Sequence, residues 1–104
     1  MLNITFRNLD SSVTIQSLAD TLMTKLVRGE PARCHLVVED KVGAHAHCED
    51  RFAVHLDLSL AHADMSFQSH CAHADATVAV REAFDRVERQ MVRQVGRRAA
   101  HKRS

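Results

Sequence analysis

The nine residues FAVHLDLSL, from Phe52 to Leu60, alternate strictly between two kinds of side chain. Large apolar residues occupy every second position, and Ala53, His55, Asp57 and a serine stand between them. Because successive side chains of a β-strand point to opposite faces, this period of two predicts a strand with one buried face. The stretch is the most regular strand of the chain, and it predicts a sheet that packs one side on a hydrophobic core.

Weaker alternation predicts three further strands, at Leu2–Arg7, at Ala32–Asp40 and around Asp64–Ser69. The segments between the last three strands are short and polar. Residues 41–50 read as a loop, residues 61–63 as a turn, and residues 70–75 as the connection to a final helix.

Two stretches have the spacing of amphipathic helices. In the first, apolar residues recur every three or four positions from Ile15 to Leu26, with Ser11 or Ser12 as the N-cap. This helix is expected to stop near Gly29, because Pro31 cannot continue it.

The second helix is expected to begin near Asp75, which caps it. Its apolar stripe consists of Val80, Phe84, Val87, Met91 and Val95. The predicted order is therefore β-α-β-β-β-α. This order favours an α+β fold in which a four-stranded, mostly antiparallel sheet carries both helices on one face. The first two strands run parallel through a right-handed crossover.

Length and composition are those of one ordinary soluble domain. The chain has 104 residues, of which 45% are hydrophobic and 26% charged. We expect a single domain over residues 1–98 and a basic, disordered tail over residues 99–104, after the helix frays beyond Gly96. No apolar run is long enough to span a membrane, and the N-terminus does not resemble a signal peptide, so a cytoplasmic location is expected. Three cysteines, an odd number, suit free thiols in a reducing compartment.

The formal net charge of +1 hides a strong asymmetry along the chain. Residues 1–80 carry six Lys/Arg against ten Asp/Glu, whereas residues 81–104 carry eight against three. From Arg89 to the end there are six basic residues and no acidic one. This excess of positive charge predicts that the last helix and the residues after it contact an anionic partner.

A helical wheel collects these charges on one side of the second helix. Arg86, Arg89, Arg93 and Arg97 fall within about 80° of one another, roughly opposite the apolar stripe, along about 16 Å of helix. Rows of guanidinium groups suit nucleic-acid phosphates. The alternative is an ordinary solvated face, in which Glu82, Asp85 and Glu88 pair with neighbouring arginines. Since the chain has no Trp or Tyr, contact with the backbone of structured RNA is favoured over stacking on single-stranded bases.

Eight histidines and three cysteines raise the question of a metal. Two short motifs contain the candidate ligands, which are His45, His47 and Cys48 in one loop and His70, Cys71 and His73 in another. The spacing differs from that of recognised zinc sites, so we expect no metal cofactor and treat these loops as polar and exposed. No catalytic triad, carboxylate pair or phosphate-cradling glycine loop is identifiable, so we expect neither an enzyme nor a small-molecule substrate.

The sequence resembles the ribosome hibernation-promoting factor family, also called ribosome-associated inhibitor A or sigma-54 modulation proteins. The likeness is carried by the order of the elements, by Ile4–Arg7, by Asp10–Ser12, by Cys34–Glu39 and by DATVAVREAFDRVERQ at Asp75–Gln90. It spans about residues 2–98 and corresponds to a short family member.

The resemblance implies a fold like that of double-stranded RNA-binding domains. It also implies docking on the small ribosomal subunit and its 16S RNA, in the channel of messenger and transfer RNA, where such proteins silence translation. The basic residues that the resemblance and the charge pattern assign to RNA binding are Lys25, Arg28, Arg81, Arg86, Arg89, Arg93, Arg97 and Arg98. An alternative is a diverged member that binds a metal or a protein through the His/Cys loops and does not bind ribosomes.

Overall fold

The computed structural model describes residues 2–41, 50–61 and 65–102, with side chains through Gln94. Its elements follow the predicted order. They are β1 (Leu2–Arg7), α1 (Val13–Val27), β2 (Ala32–Asp40), β3 (Phe52–Leu60), β4 (Met65–His73) and α2 (Ala76–Lys102). The α+β class is confirmed.

The four strands form one sheet in the order β1-β2-β3-β4. β1 runs parallel to β2, as the crossover through α1 requires, and the other two pairings are antiparallel. β3 lies inside the sheet, where Leu56 is opposite Leu36 on β2 and Ser69 on β4. The alternation of FAVHLDLSL is therefore repeated by both of its neighbours, and one sheet face becomes continuously apolar.

The core lies between that face and the two helices. Leu36, Leu56 and Leu58 from the sheet and Val80 and Val87 from α2 are fully buried. Ser69 is the one buried polar residue in the described ranges, and its hydroxyl donates a 2.8 Å hydrogen bond to the carbonyl oxygen of Ala83 in α2. This bond crosses from the sheet to α2, so it holds the helix at a defined position on β4.

The ends of α1 agree with the sequence. The Ser12 hydroxyl accepts a hydrogen bond from the backbone N–H of Ile15, and the helix ends at Val27. Arg28 and Gly29 then adopt positive φ angles of 49° and 83°, which turn the chain towards β2. Arg28 pays the cost of a left-handed conformation at a position where glycine is common.

Two boundaries differ from the sequence prediction. β4 continues to His73 instead of ending near Ser69, because Cys71 and His73 pair with Val54 and Phe52 of the long strand β3. The predicted connecting loop at residues 70–75 was therefore wrong over its first four residues. α2 also continues through Gly96 to Lys102. A single glycine costs about 1 kcal/mol in a helix, and Arg97, Arg98 and the alanines that follow are strong helix formers.

Replacing Leu56 with alanine tests the central role of β3. Leu56 is fully buried at the middle of the core, so Leu56→Ala should lower the free energy of unfolding by about 2–5 kcal/mol in urea denaturation. Ser59→Ala, at an exposed position of the same strand, is the matched control and should change stability by less than about 0.5 kcal/mol. Equal effects of the two substitutions would contradict this assignment of the core face.

Candidate nucleic-acid interface

The orientation of α2 decides where its arginines lie. The Asp75 carboxylate caps the helix by accepting hydrogen bonds from the backbone N–H groups of Thr77 (2.8 Å) and Val78 (3.4 Å). Val80, Phe84 and Val87 are buried against the sheet. Because the apolar stripe faces inward, the arginines are left on the solvent side of the helix.

Arg86 and Gln90 lie on the flank of α2 that faces the edge strand β4. Arg86 donates from Nη1 to the carbonyl oxygen of His70 at 2.9 Å, and Gln90 donates from Nε2 to that of Gln68 at 2.8 Å. These bonds occupy carbonyl groups that an edge strand would otherwise offer to another chain. Sequence reasoning missed this role, since nothing in the helical spacing shows which strand the flank will meet.

Arg89 and Arg93 lie further out on the same solvent side and are exposed. Arg89 Nη2 is 2.9 Å from Asp85 Oδ2, with exposed side-chain fractions of 72% and 52%. Such a surface ion pair contributes about 0–1 kcal/mol, so a phosphate can replace the carboxylate at little cost. Arg93 has no ion-pair partner among the residues whose side chains are described.

A second basic group lines the groove between the two helices. Lys25 and Arg28, at the C-terminal end of α1, face Arg81 of α2 across a groove of about 610 Å³. Asp85 and Glu88 also line this groove, so its field is mixed rather than purely positive. The sequence did not predict these acidic neighbours of the groove, because their position depends on how α1 packs against α2.

The eight predicted RNA-binding residues therefore do not share one surface. Arg86, Arg89 and Arg93 occupy the outer side of α2, and the other three described residues occupy the groove. Arg97 and Arg98 lie on α2, but their side chains are outside the described part of the structure. RNA binding by all eight residues stays a prediction.

The two histidine- and cysteine-containing motifs have different outcomes. His45, His47 and Cys48 lie outside the described residues. The other motif is on strand β4 rather than in a loop, so His70 is exposed on one sheet face while Cys71 is buried on the opposite one. His73 accepts a hydrogen bond at Nδ1 from the backbone N–H of Asp75. The strand thus places His70 and Cys71, which the sequence put in one loop, on opposite sides of the sheet. The described ranges contain no cluster of three or more potential metal ligands.

The two described cysteines are buried free thiols. Burial raises the pKa of Cys34 to about 11 and also raises the pKa of Cys71. A thiol whose pKa is raised stays protonated at neutral pH, and the protonated form is a poor nucleophile and a poor metal ligand. These groups therefore act as small apolar side chains of the core.

Comparison with known proteins identifies the family of the chain. Residues 2–99 match the model of the family described as sigma 54 modulation protein / S30EA ribosomal protein. The chain belongs to this family. Membership identifies it as a ribosome-associated modulation factor, and the family is not known as a class of enzymes. No curated protein matches the sequence.

Solved structures share the fold. The N-terminal domain of Thermus thermophilus Protein Y superimposes with a TM-score of 0.69 at 18% identity, over 86% of this chain and 92% of that one. A ribosomal subunit interface protein from Coxiella burnetii superimposes with a TM-score of 0.73 at 13% identity, over 91% and 97%. The fold is thus retained although most side chains differ. Neither α1 nor the described length of α2 combines the length and apolar composition of a membrane-spanning helix.

The buried thiols should be protected from alkylation. With its pKa at about 11, Cys34 is protonated at pH 8, and the core shields its sulfur. Iodoacetamide at pH 8 should label the Cys34 peptide at least tenfold more slowly in the folded protein than in urea, as followed by peptide mass spectrometry. Labelling at the same rate in both states would show that the thiol is exposed.

The raised pKa of Cys34 also makes the stability of the fold depend on pH above pH 9. Between pH 9 and the folded pKa near 11, the unfolded state loses the Cys34 proton while the folded state keeps it. Stability from this group is therefore complete below pH 9 and is lost as the pH rises towards 11. A Cys34→Ala variant should show a shallower loss of stability over that range in urea unfolding.

Proposed function

We propose that this protein is a hibernation factor that binds 16S ribosomal RNA of the small subunit in the mRNA/tRNA channel and inhibits translation. Membership of the sigma 54 modulation / S30EA family supports the ribosomal partner. The names of the two similar structures, a Protein Y domain and a ribosomal subunit interface protein, point the same way. As a ribosome-associated protein it acts in the cytoplasm.

The main support for an RNA-binding surface is the row of exposed arginines on α2. Arg86, Arg89 and Arg93 project from one side of a helix whose other side is buried in the core. A guanidinium group has five N–H donors, so Arg86 can contact a phosphate while one donor bonds the His70 carbonyl. A rigid row of this kind follows a phosphate backbone without reading bases.

Lys25, Arg28 and Arg81 form a second contact region in the proposal. They lie beside the acidic residues Asp85 and Glu88, so bringing RNA into the groove costs more than bringing it to the outer side of α2. We therefore assign most of the affinity to Arg86, Arg89 and Arg93, with Arg97 and Arg98 extending the row. Residues 1–98 form the ribosome-binding domain, and residues 99–104 add a basic tail.

Inhibition in this proposal is steric. A folded domain held in the decoding channel by charge occupies space that messenger and transfer RNA need, and no cofactor or chemical step is required. Because phosphate neutralisation releases counterions, binding weakens steeply as salt rises.

Co-sedimentation with 30S subunits and 70S ribosomes tests the RNA contact. The parent protein should pellet with them at about 50 mM monovalent salt and be released near 200 mM, since six phosphate contacts lose about a thousandfold in affinity over that range. Arg89→Glu/Arg93→Glu should remain in the supernatant even at the lower salt.

The matched control reverses two charges on the opposite face of the domain. Arg7 and Arg33 are exposed on β1 and β2, on the sheet face that points away from the helices. Arg7→Glu/Arg33→Glu should pellet like the parent, with folding of both variants checked by circular dichroism. If the two double variants lose binding equally, net charge rather than the α2 surface governs association.

If the protein occludes the channel, it should compete with messenger and transfer RNA for the small subunit. Pre-binding the protein to 30S subunits should reduce the binding of messenger RNA and initiator transfer RNA in a filter assay, and excess messenger RNA with transfer RNA should displace the protein. Protein and transfer RNA bound together at full occupancy would rule out this location while leaving ribosome association intact.

A further inference from the structure

The face of the sheet that points away from the helices carries two neighbouring histidines. His55 on β3 lies directly opposite His70 on the antiparallel strand β4. Their ring centroids are 6.0 Å apart, and the ring planes are inclined by 53°. Directly opposed side chains on one sheet face are close enough to act together. Neither ring is part of the arginine surface on α2.

Asp57 holds the His55 ring. Its Oδ2 atom is 3.2 Å from Nε2 of His55, two residues away on the same strand. When Nε2 bonds a carboxylate, Nδ1 is left as the nitrogen with a free lone pair. A carboxylate behind an imidazole fixes the orientation of the ring, which is the arrangement found behind many metal-binding histidines.

The backbone at His70 is also held in place. The His70 carbonyl accepts the 2.9 Å hydrogen bond from Arg86, and the residue pairs with β3 on its other side. The His70 side chain remains exposed, and the His55 side chain is 42% exposed. Both imidazoles are therefore carried by paired strands and are accessible to solvent.

A shallow cavity of about 240 Å³ adjoins the pair. Besides the two histidines, it is lined by Val37, Ala53 and the opposite charges of Arg7 and Glu39. The Glu39 carboxylate offsets the repulsion that Arg7 would exert on a cation. The cavity has room for the water molecules that a partly protein-bound metal ion keeps.

We propose that His55 and His70 form a two-histidine site for a divalent first-row transition-metal ion, with zinc as the representative ion. Neutral imidazoles are good ligands for zinc, nickel and copper. In tetrahedral coordination with a Zn–N distance of about 2.0–2.1 Å, two imidazole centroids lie about 5 Å apart, so the rings, now 6.0 Å apart, have to approach by about 1 Å to share an ion. Two side chains supply the protein ligands, because the described residues contain no larger cluster of potential ligands. Water completes the coordination.

Titration with zinc chloride, followed in backbone ¹H–¹⁵N spectra, locates the site directly. The largest shift changes should fall on His55, His70 and their neighbours in the middle of β3 and β4. His70→Ala should weaken zinc binding about tenfold or more, as measured by calorimetry, and His55→Ala/His70→Ala should abolish the shifts on these strands. Asp57→Asn should weaken binding less than loss of a ligand does.

Two controls separate this site from other histidines. His35 lies on the same sheet face, where its Nε2 is 3.1 Å from the Thr5 hydroxyl, and His35→Ala should leave zinc affinity unchanged. His45→Ala/His47→Ala/Cys48→Ser removes the candidate ligands of the other motif and should leave the shifts on β3 and β4 in place. Zinc shifts centred elsewhere in the chain, or unchanged affinity in the folded His55/His70 double variant, would overturn the proposal.

Discussion

The seating of α2 on β3 and β4 is the constraint on which the rest of the molecule depends. Val80 and Val87 are fully buried there, and the Ser69 hydroxyl reaches the Ala83 carbonyl at 2.8 Å. A helix held by both an apolar stripe and a buried hydrogen bond cannot rotate without losing one of them. Its rotation fixes which flank meets β4, which flank faces α1, and which arginines point to solvent. The candidate interface is thus a consequence of core packing.

The arginines that this seating exposes are not equivalent. Arg86 already bonds the His70 carbonyl, and Arg89 is paired with Asp85 on the surface. Arg93 has no ion-pair partner among the described side chains, so its charge is the most available of the three. In the proposed function, a phosphate would replace Asp85 as the weakly held partner of Arg89 and would use the N–H donors of Arg86 that the His70 carbonyl leaves free. If the proposal holds, α2 protects a sheet edge and binds RNA with the same side of its surface.

The elements were predictable from sequence where local pattern alone determines them. FAVHLDLSL, the Ile15–Leu26 stripe and the caps Ser12 and Asp75 are local signals, and each was confirmed at its residue or within one or two of it. The end of β4 was missed because HCAH has no apolar alternation of its own and becomes a strand by pairing with β3. Likewise, the helical wheel located the solvent-facing arginines, but the groove of Lys25, Arg28 and Arg81 depends on packing between helices that are distant in sequence.

The proposed RNA and metal surfaces lie on opposite faces of the sheet, yet one contact joins them. Arg86 belongs to the arginine row, and its hydrogen bond ends on the backbone of His70, whose side chain is a proposed metal ligand. In the proposed RNA complex Arg86 keeps this bond while its other donors reach phosphate. An RNA contact that broke the bond instead would loosen the strand edge that carries the proposed ligand. In that case linkage would require a metal that stabilises this edge to weaken RNA binding by the same factor. The size of that factor is bounded by one charge-assisted hydrogen bond of about 1.5–3 kcal/mol, so the coupling is at most about 150-fold.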